Sequence, residues 1–206
     1  MKASISTTAI PPDDVPTPRL GRDDWLDAAF ETVAESGFDS VRVLTLAASL
    51  GVTRGSFYWH FTDHAELITA LVERWRAREI ETHQRALEAP VLEPKADLER
   101  MLEAALAHAG TEIKYLRFEL ALRGLGRHNP DVAAILVEVD RMRMRLFESK
   151  FLRLTNDPKA AADLAALFYL AIVGGTHALA RPANPERTKD YLQRIIGHYL
   201  IAQQTS

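Results

Sequence analysis

Apolar residues recur at helical spacing along most of the chain. Leu26, Ala29, Phe30 and Val33 make one stripe between Arg22 and Ser36. Val43, Leu46, Ala47 and Leu50 make a second, at i, i+3, i+4 and i+7. Leu67, Ile68, Leu71, Val72 and Trp75 make a third, in a helix expected to start at Asp63 and reach about Glu88. Leu98, Met101, Leu102, Ala105 and Leu106 continue the pattern from Pro94 to about Gly110. A further segment runs from Thr111 to about His128, with break signals at Gly124 and Gly126. Ile135, Leu136, Val139, Met142, Leu146 and Phe147 then carry the pattern to about Leu154. Asn129-Pro130, Asp157-Pro158 and Asn184-Pro185 each set a capping side chain before a proline, which is a helix start. No strand and no internal repeat emerges, so the chain is expected to be all-α.

Two C-terminal segments are broader than a single stripe. Leu164 to Val173 is apolar almost all round, and such a helix is expected to be buried on every side. The last helix carries Tyr191, Leu192, Ile195, Ile196, Tyr199 and Leu200. Two such helices from each of two chains would make a four-helix interface, hence a homodimer. Residues 1–19 read differently: Pro11, Pro12, Pro16 and Pro18 among small polar residues predict a flexible tail.

The middle of the N-terminal region carries the chemistry. Gly51 ends the helix of Val43–Leu50, Val52 plugs the turn, and Thr53 is placed to cap a second helix with its hydroxyl, extending to about His60. On that helix Phe57 and Phe61, four apart, point inward. Thr53, Arg54, Ser56, Tyr58, Trp59 and His60 carry polar tips outward. A helix-turn-helix whose second helix exposes such groups suits the DNA major groove. Gly55 allows close backbone approach to a duplex, and Arg54 has the fork for a bidentate pair with guanine. Asp63 with Glu66 resembles a capping box. Ser40 is a candidate N-cap for the helix of Val43–Leu50. Phe38 is expected to tuck under the three-helix unit.

Residues from about 22 to 72 resemble the DNA-binding domain of the TetR family of transcriptional regulators. The matching pieces are Trp25-Leu-Asp-Ala-Ala29, Gly37-Phe38, Leu46-Ala47, Leu50-Gly-Val-Thr53, Gly55-Ser-Phe-Tyr-Trp-His-Phe61 and Ala65-Glu-Leu67. The resemblance implies a helix-turn-helix DNA-binding domain over residues 20–66 and a helical effector-binding and dimerisation domain over 67–206. It implies phosphate contacts from Thr53, Tyr58 and His64, with Arg54, Ser56, Trp59 and His60 nearest base edges. The chain departs from the family at Val41-Arg42, where Ser or Thr is common, and at His64, where a basic residue, often Lys, is common. Arg42 is a candidate phosphate contact, with an ion pair to Asp39 as the alternative. Lys2, Arg19 and Arg22 are further candidates. TetR-like proteins hold a ligand among the C-terminal helices. Candidate lining residues here are Tyr115, Phe118, Phe147, Phe151, Phe168 and Tyr169, with Arg117, Glu119, Arg123 and His177 as polar anchors. The alternative is that the aromatics are core and the charges surface pairs.

Composition tempers this picture. The net charge is −3, without the basic excess common in nucleic-acid binders. From Ser40 to Thr62 the only formal charges are Arg42 and Arg54, so the docking face is mildly basic and modest non-specific affinity is expected. There are no cysteines, which fits a reducing cytoplasm. No apolar run is expected to approach a transmembrane length, and no signal peptide is evident. His60 and His64 are four apart, but a helix break at Thr62-Asp63 separates them, so no metal site is expected. No hydrolase triad, phosphate-cradling loop or zinc-protease motif is present, and neither an enzyme nor a cofactor is expected. The reading is a homodimeric repressor released from a near-palindromic DNA operator by an unknown small-molecule effector. An activator, or a ligand-binding scaffold dimer with weak DNA binding, is the alternative.

Overall fold

Residues 20–90, 92–111, 113–179, 190 and 193–201 are described by the computed structural model, and among them no strand occurs. Helix α1, Arg22–Ser36, begins where Asp24 Oδ2 accepts the Gly21 N–H at 2.6 Å, which places a carboxylate at the positive end of the helix. Its inner face buries Trp25, Leu26, Ala29, Val33 and Ala34. A short 3₁₀ turn, Phe38–Ser40, leads to α2, Val43–Ser49. The cap expected of Ser40 does not form. Its hydroxyl donates back to the Ser36 carbonyl at 2.9 Å, and extended Arg42 occupies the N-cap.

Gly51 takes φ +69°, the left-handed conformation that turns the chain between α2 and the helix that follows it. Regular α3 spans only Arg54–Phe57, shorter than expected. Tighter turns carry the chain on, with Trp59 N–H on the Ser56 carbonyl at 3.3 Å and His60 N–H on the Phe57 carbonyl at 2.9 Å. Helix α4, His64–Glu88, starts at Asp63, whose Oδ1 accepts the Glu66 N–H at 2.8 Å. The reciprocal bond is displaced by one residue, because Glu66 Oε2 accepts from Thr62 N–H at 2.7 Å.

Helices α5 (Pro94–Thr111), α6 (Ile113–Gly126), α7 (Pro130–Thr155) and α8 (Pro158–Leu179) follow, then a π-helical segment over Ile196–Ile201. Asn129 Oδ1 caps α7 through Val132 N–H at 3.2 Å, and Asp157 Oδ1 caps α8 through Lys159 N–H at 2.9 Å. The start at Asn184-Pro185 and the residues Tyr191 and Leu192 lie outside the described residues, as do the tail residues Lys2 and Arg19.

One buried cluster joins the N-terminal unit to the rest. Trp25, Phe57, Leu67 and Leu71 pack in continuity with Phe118, Leu122, Val132 and Val139 of α6 and α7. Phe118 stacks on Phe30 at 4.9 Å and meets Phe38 at 5.6 Å. Phe38 therefore faces α6 as well as its own unit. A second cluster gathers Leu98, Leu102, Phe151, Leu164 and Phe168. Beside it lies Asp97, fully buried and held by Arg100 at 2.6 Å and by Lys150 and Arg153 at 2.8 Å each. Burial pushes the Asp97 carboxyl up, but these cations outweigh it and hold it below the ordinary range. Arg153 also donates to the Leu92 carbonyl at 2.6 Å, so this cluster ties the α4–α5 connection to α7.

Helix α8 keeps one side open in the single chain, as a helix shared between two chains would, and corrects one expectation, that of apolar length. Ala161, Leu164, Ala165 and Phe168 are buried, but Leu167 and Leu170 are 53% and 66% exposed, so the helix is covered on one side only within a single chain. Its window Pro158–Gly175 has 18 residues and a mean hydropathy of 1.3, long and apolar enough by length and composition to cross a membrane. Six alanines raise that mean across a run that includes Lys159 and Asp163.

Candidate nucleic-acid interface and ligand cavity

The reading helix is built around Phe57. This ring, fully buried, meets Trp25 edge-on and stacks on Phe61, both at 5.3 Å. Burying Phe57 and Phe61 turns the rest of the helix outward. Thr53, Arg54, Gly55, Tyr58 and Trp59 are exposed, and Ser56 and His60 half-buried. Trp59 reaches 88% exposure, and Tyr58 49%. Arg54 Nη2 donates to the Tyr58 hydroxyl at 2.9 Å, so these two side chains are held as a pair. Thr53 stands at the N-cap with extended backbone, but its hydroxyl makes no capping bond, contrary to the sequence reading. A Cβ added at Gly55 would touch only the Thr53 hydroxyl, at 3.6 Å. Nothing within the fold requires glycine there.

Two basic candidates are placed differently. Arg22 is spent inside the domain: it bridges Glu66 at 3.0 Å, donates to the His60 carbonyl at 2.6 Å and lies 4.3 Å over the Phe61 ring. Arg42 is exposed at the N-cap of α2 and has no ion pair with Asp39 among the described residues. His64 turns one ring nitrogen, Nε2, to the Val41 carbonyl at 2.8 Å. A carbonyl only accepts, so Nε2 carries the hydrogen in this contact.

The C-terminal helices form a half-open cavity of ≈ 240 Å³ between α4, α5, α6, α7 and α8. Tyr115, Glu119, Phe147 and Tyr169 line it. Phe118 points away, into the α1 contact, and Phe168 is packed on Phe151 at 5.8 Å and on Phe147 at 4.9 Å. Arg117 is half-buried and off the wall, and Arg123 stands behind it. The His177 side chain lies outside the described residues.

The polar part of the wall is a connected network. Arg143 Nη1 donates to Glu119 at 2.9 Å and its Nη2 to Glu79 at 2.7 Å. Arg123 Nη2 donates to Glu119 at 2.7 Å and to Asp140 at 2.8 Å. Tyr115 donates to Glu79 at 2.8 Å, and Tyr169 to Asp140. Burial pushes the Glu119 carboxyl up, but Arg143 and then Arg123 outweigh it and hold its pKa down to about 2. Burial also opposes charge on Arg143, and Glu119 and Glu79 more than restore it. The Tyr169 hydroxyl is pushed up to about 12 by burial and by Asp140. Glu79, Asp140 and Arg143 escaped the sequence reading. Their signal was spacing: Glu79 and His83 prolong the four-residue rhythm of Leu67, Leu71 and Trp75, and Arg143 lies four before Phe147.

Comparison with known proteins agrees with this geometry. The family profile described as bacterial regulatory proteins, tetR family, matches residues 26–71. The class D tetracycline repressor protein of Escherichia coli is 31% identical over 116 residues, covering 51% of this chain and 53% of the repressor. The regulator TtgR of Pseudomonas putida is 33% identical over 72 residues, covering 35% and 32%. The chain thus spans about half the length of the tetracycline repressors it matches. A Haloarcula marismortui TetR regulator shares the fold at TM-score 0.72 and 11% identity, covering 87% of this chain and 95% of its own. A Saccharomonospora viridis structure, solved in complex with choline, does so at TM-score 0.70 and 17% identity, covering 86% and 96%. The helix-turn-helix with its buried Phe57 and outward Tyr58 and Trp59 thus lies within residues 26–71, which match the tetR family of bacterial regulatory proteins, on a chain that shares the fold of TetR regulators.

Proposed function

We propose that this chain is a homodimeric, sequence-specific DNA-binding repressor, a regulator rather than an enzyme, released from a near-palindromic operator by a small-molecule effector in the cytoplasm. The observation that carries the reading is the exposure of Trp59 and Tyr58 beside Arg54, on a helix whose opposite face is fully buried. Large exposed aromatics with polar tips mark a surface that a partner covers. Arg54, Ser56, Trp59 and His60 would read base edges, while Arg42, Thr53 and Tyr58 hold phosphates, joined by His64 when its Nδ1 also carries a proton to donate, and Gly55 admits the backbone. Leu167 and Leu170 on α8 support pairing of two chains, which would set two reading helices one helical turn, or a multiple, apart. The cavity supports an effector. For release, the effector must bind the DNA-incompatible form more tightly than the bound form.

Selection from a random duplex pool by the purified protein, followed by affinity at two salt concentrations, tests the reading. The expected result is a near-palindrome bound by a dimer, with affinity falling steeply as salt rises. The doubly substituted Tyr58→Ala, Trp59→Ala protein should remain dimeric and lose that specificity. Failure of the folded dimer to enrich any sequence would overturn the proposal.

A further inference from the structure

Helix α2 turns Val43, Leu46, Ala47 and Leu50 inward, onto the cluster that also holds Phe57 and Phe61 of the reading segment. Helices α2 and α3 also pack against each other, so their outer faces adjoin. The outer face of α2 consists of Leu44, Thr45, Ala48 and Ser49, all exposed. Leu44 and Ala48 stand one turn apart. The Ala48 carbonyl accepts the Gly51 N–H at 3.2 Å, so this row of side chains ends at the turn into α3.

Leu44 is 65% exposed. An exposed leucine is ordinary by itself. Its company is not. Between residues 20 and 86 the exposed large apolar side chains are Leu44, Tyr58 and Trp59, and all three belong to the helix-turn-helix. The longer outer face of α1 carries Arg22, Asp23, Asp24, Asp27 and Glu35 instead. Apolar exposure is thus confined, within the N-terminal unit, to the surface that would meet a duplex.

Charge allows that approach. Exposed Arg42 stands at the N-cap two residues before Leu44, and Arg54 opens α3. No carboxylate lies between these two cations in the chain, so nothing on this stretch repels phosphate. Leucine has neither donor nor acceptor, so it can hold no phosphate and read no polar base edge. The apolar group that the major groove offers is the C5-methyl of thymine.

We propose that Leu44 is a specificity residue of the operator contact, its side chain packed on the C5-methyl of one thymine in each half-site. The proposal rests on the DNA-binding reading above, and names a base and a reading residue on α2 rather than α3. Covering one methyl is worth about fourfold in affinity for each half-site, and about fifteenfold for two.

The test uses the full-length protein and the duplex it selects from a random pool. Each thymine of that duplex is replaced in turn, in both half-sites, by deoxyuridine, which keeps the base pair and lacks the methyl. The native protein should lose about fifteenfold in affinity at one symmetric pair of positions. Leu44→Ala should bind the unmodified duplex about as weakly as the native protein binds that deoxyuridine duplex, and should lose little more when the methyls go. Leu44→Met, which keeps an apolar tip, should retain the methyl effect. The native scan needs no variant, so it holds even if a substitution disturbs the fold. A selected duplex with no position at which deoxyuridine weakens native binding by about twofold or more overturns the proposal. So does a methyl effect that survives Leu44→Ala in full. Either result leaves the DNA-binding reading standing, because an operator was selected. Failure to select any duplex overturns that reading, and the role of Leu44 with it.

Discussion

Replacing Glu119 by glutamine keeps the side-chain volume and removes a charge from the middle of the Arg123–Arg143 network. The carboxyl's pKa is about 2 in the fold against an ordinary value of 4.5. Each pKa unit is about 1.4 kcal/mol of preference for the charged form, so ionised Glu119 contributes about 3 kcal/mol at neutral pH. Breaking a buried pair by removing one partner costs about 3–5 kcal/mol, an independent figure of the same size. The pH dependence separates the charge from mere packing. A carboxyl with depressed pKa stabilises fully above its unfolded value and loses that contribution as pH falls toward its folded value. The gap in unfolding free energy between the native protein and Glu119→Gln should be about 3 kcal/mol at pH 7. It should narrow below about pH 4.5 and fall to roughly half or less near pH 3. Urea denaturation of both proteins across this range, at one fixed protein concentration, measures the gap directly. Other carboxyls such as Asp97 titrate in both proteins and cancel. A gap that stays constant from pH 7 to about pH 3 would refute the electrostatic account.

Further outcomes follow from the same geometry. Gly55→Ala should leave the thermal midpoint within about a degree or two, since the new methyl meets only the Thr53 hydroxyl, and should weaken operator binding at least about tenfold. His64→Lys places a permanent cation at the start of α4; it should tighten DNA binding and steepen the slope of log affinity against log salt by about 0.9. Phe118→Ala empties the space between α1 and α6 and should cost about 3–5 kcal/mol by denaturant titration while leaving the cavity wall intact. Leu167→Glu with Leu170→Glu, on the open side of α8, should yield a folded monomer by sedimentation, with operator affinity lost.

Helix positions were legible because their causes are local. The stripe Leu26–Val33 and the caps at Asn129 and Asp157 each depend on a few neighbouring residues. The reading helix was legible for the same reason, since burying Phe57 and Phe61 leaves one direction for Tyr58 and Trp59. Ser40 misled because a serine hydroxyl can either accept a backbone N–H as a cap or donate to a preceding carbonyl, and here donation to the Ser36 carbonyl wins. Phe118 and Phe147 are alike in sequence, and only the approach of α1 sends one to the core and leaves the other on the cavity. Glu79 was missed because a glutamate ends an apolar stripe on paper. Its reason for being buried is Arg143, 64 residues away.

The Asp97 cluster gives α4 a fixed end. Three cations and one carboxylate fasten the connection just past Glu88 to α7, while the other end of the helix carries His64 and the reading unit. At 1.5 Å per residue, Glu79 sits about 14 Å from that anchorage and His64 about 36 Å. A rod turning about such a point delivers at its tip nearly three times the displacement imposed at Glu79. On the proposed function, a shift of about 1 Å at the cavity wall would become close to 3 Å at the surface proposed to face the groove, comparable to a base-pair step of about 3.4 Å.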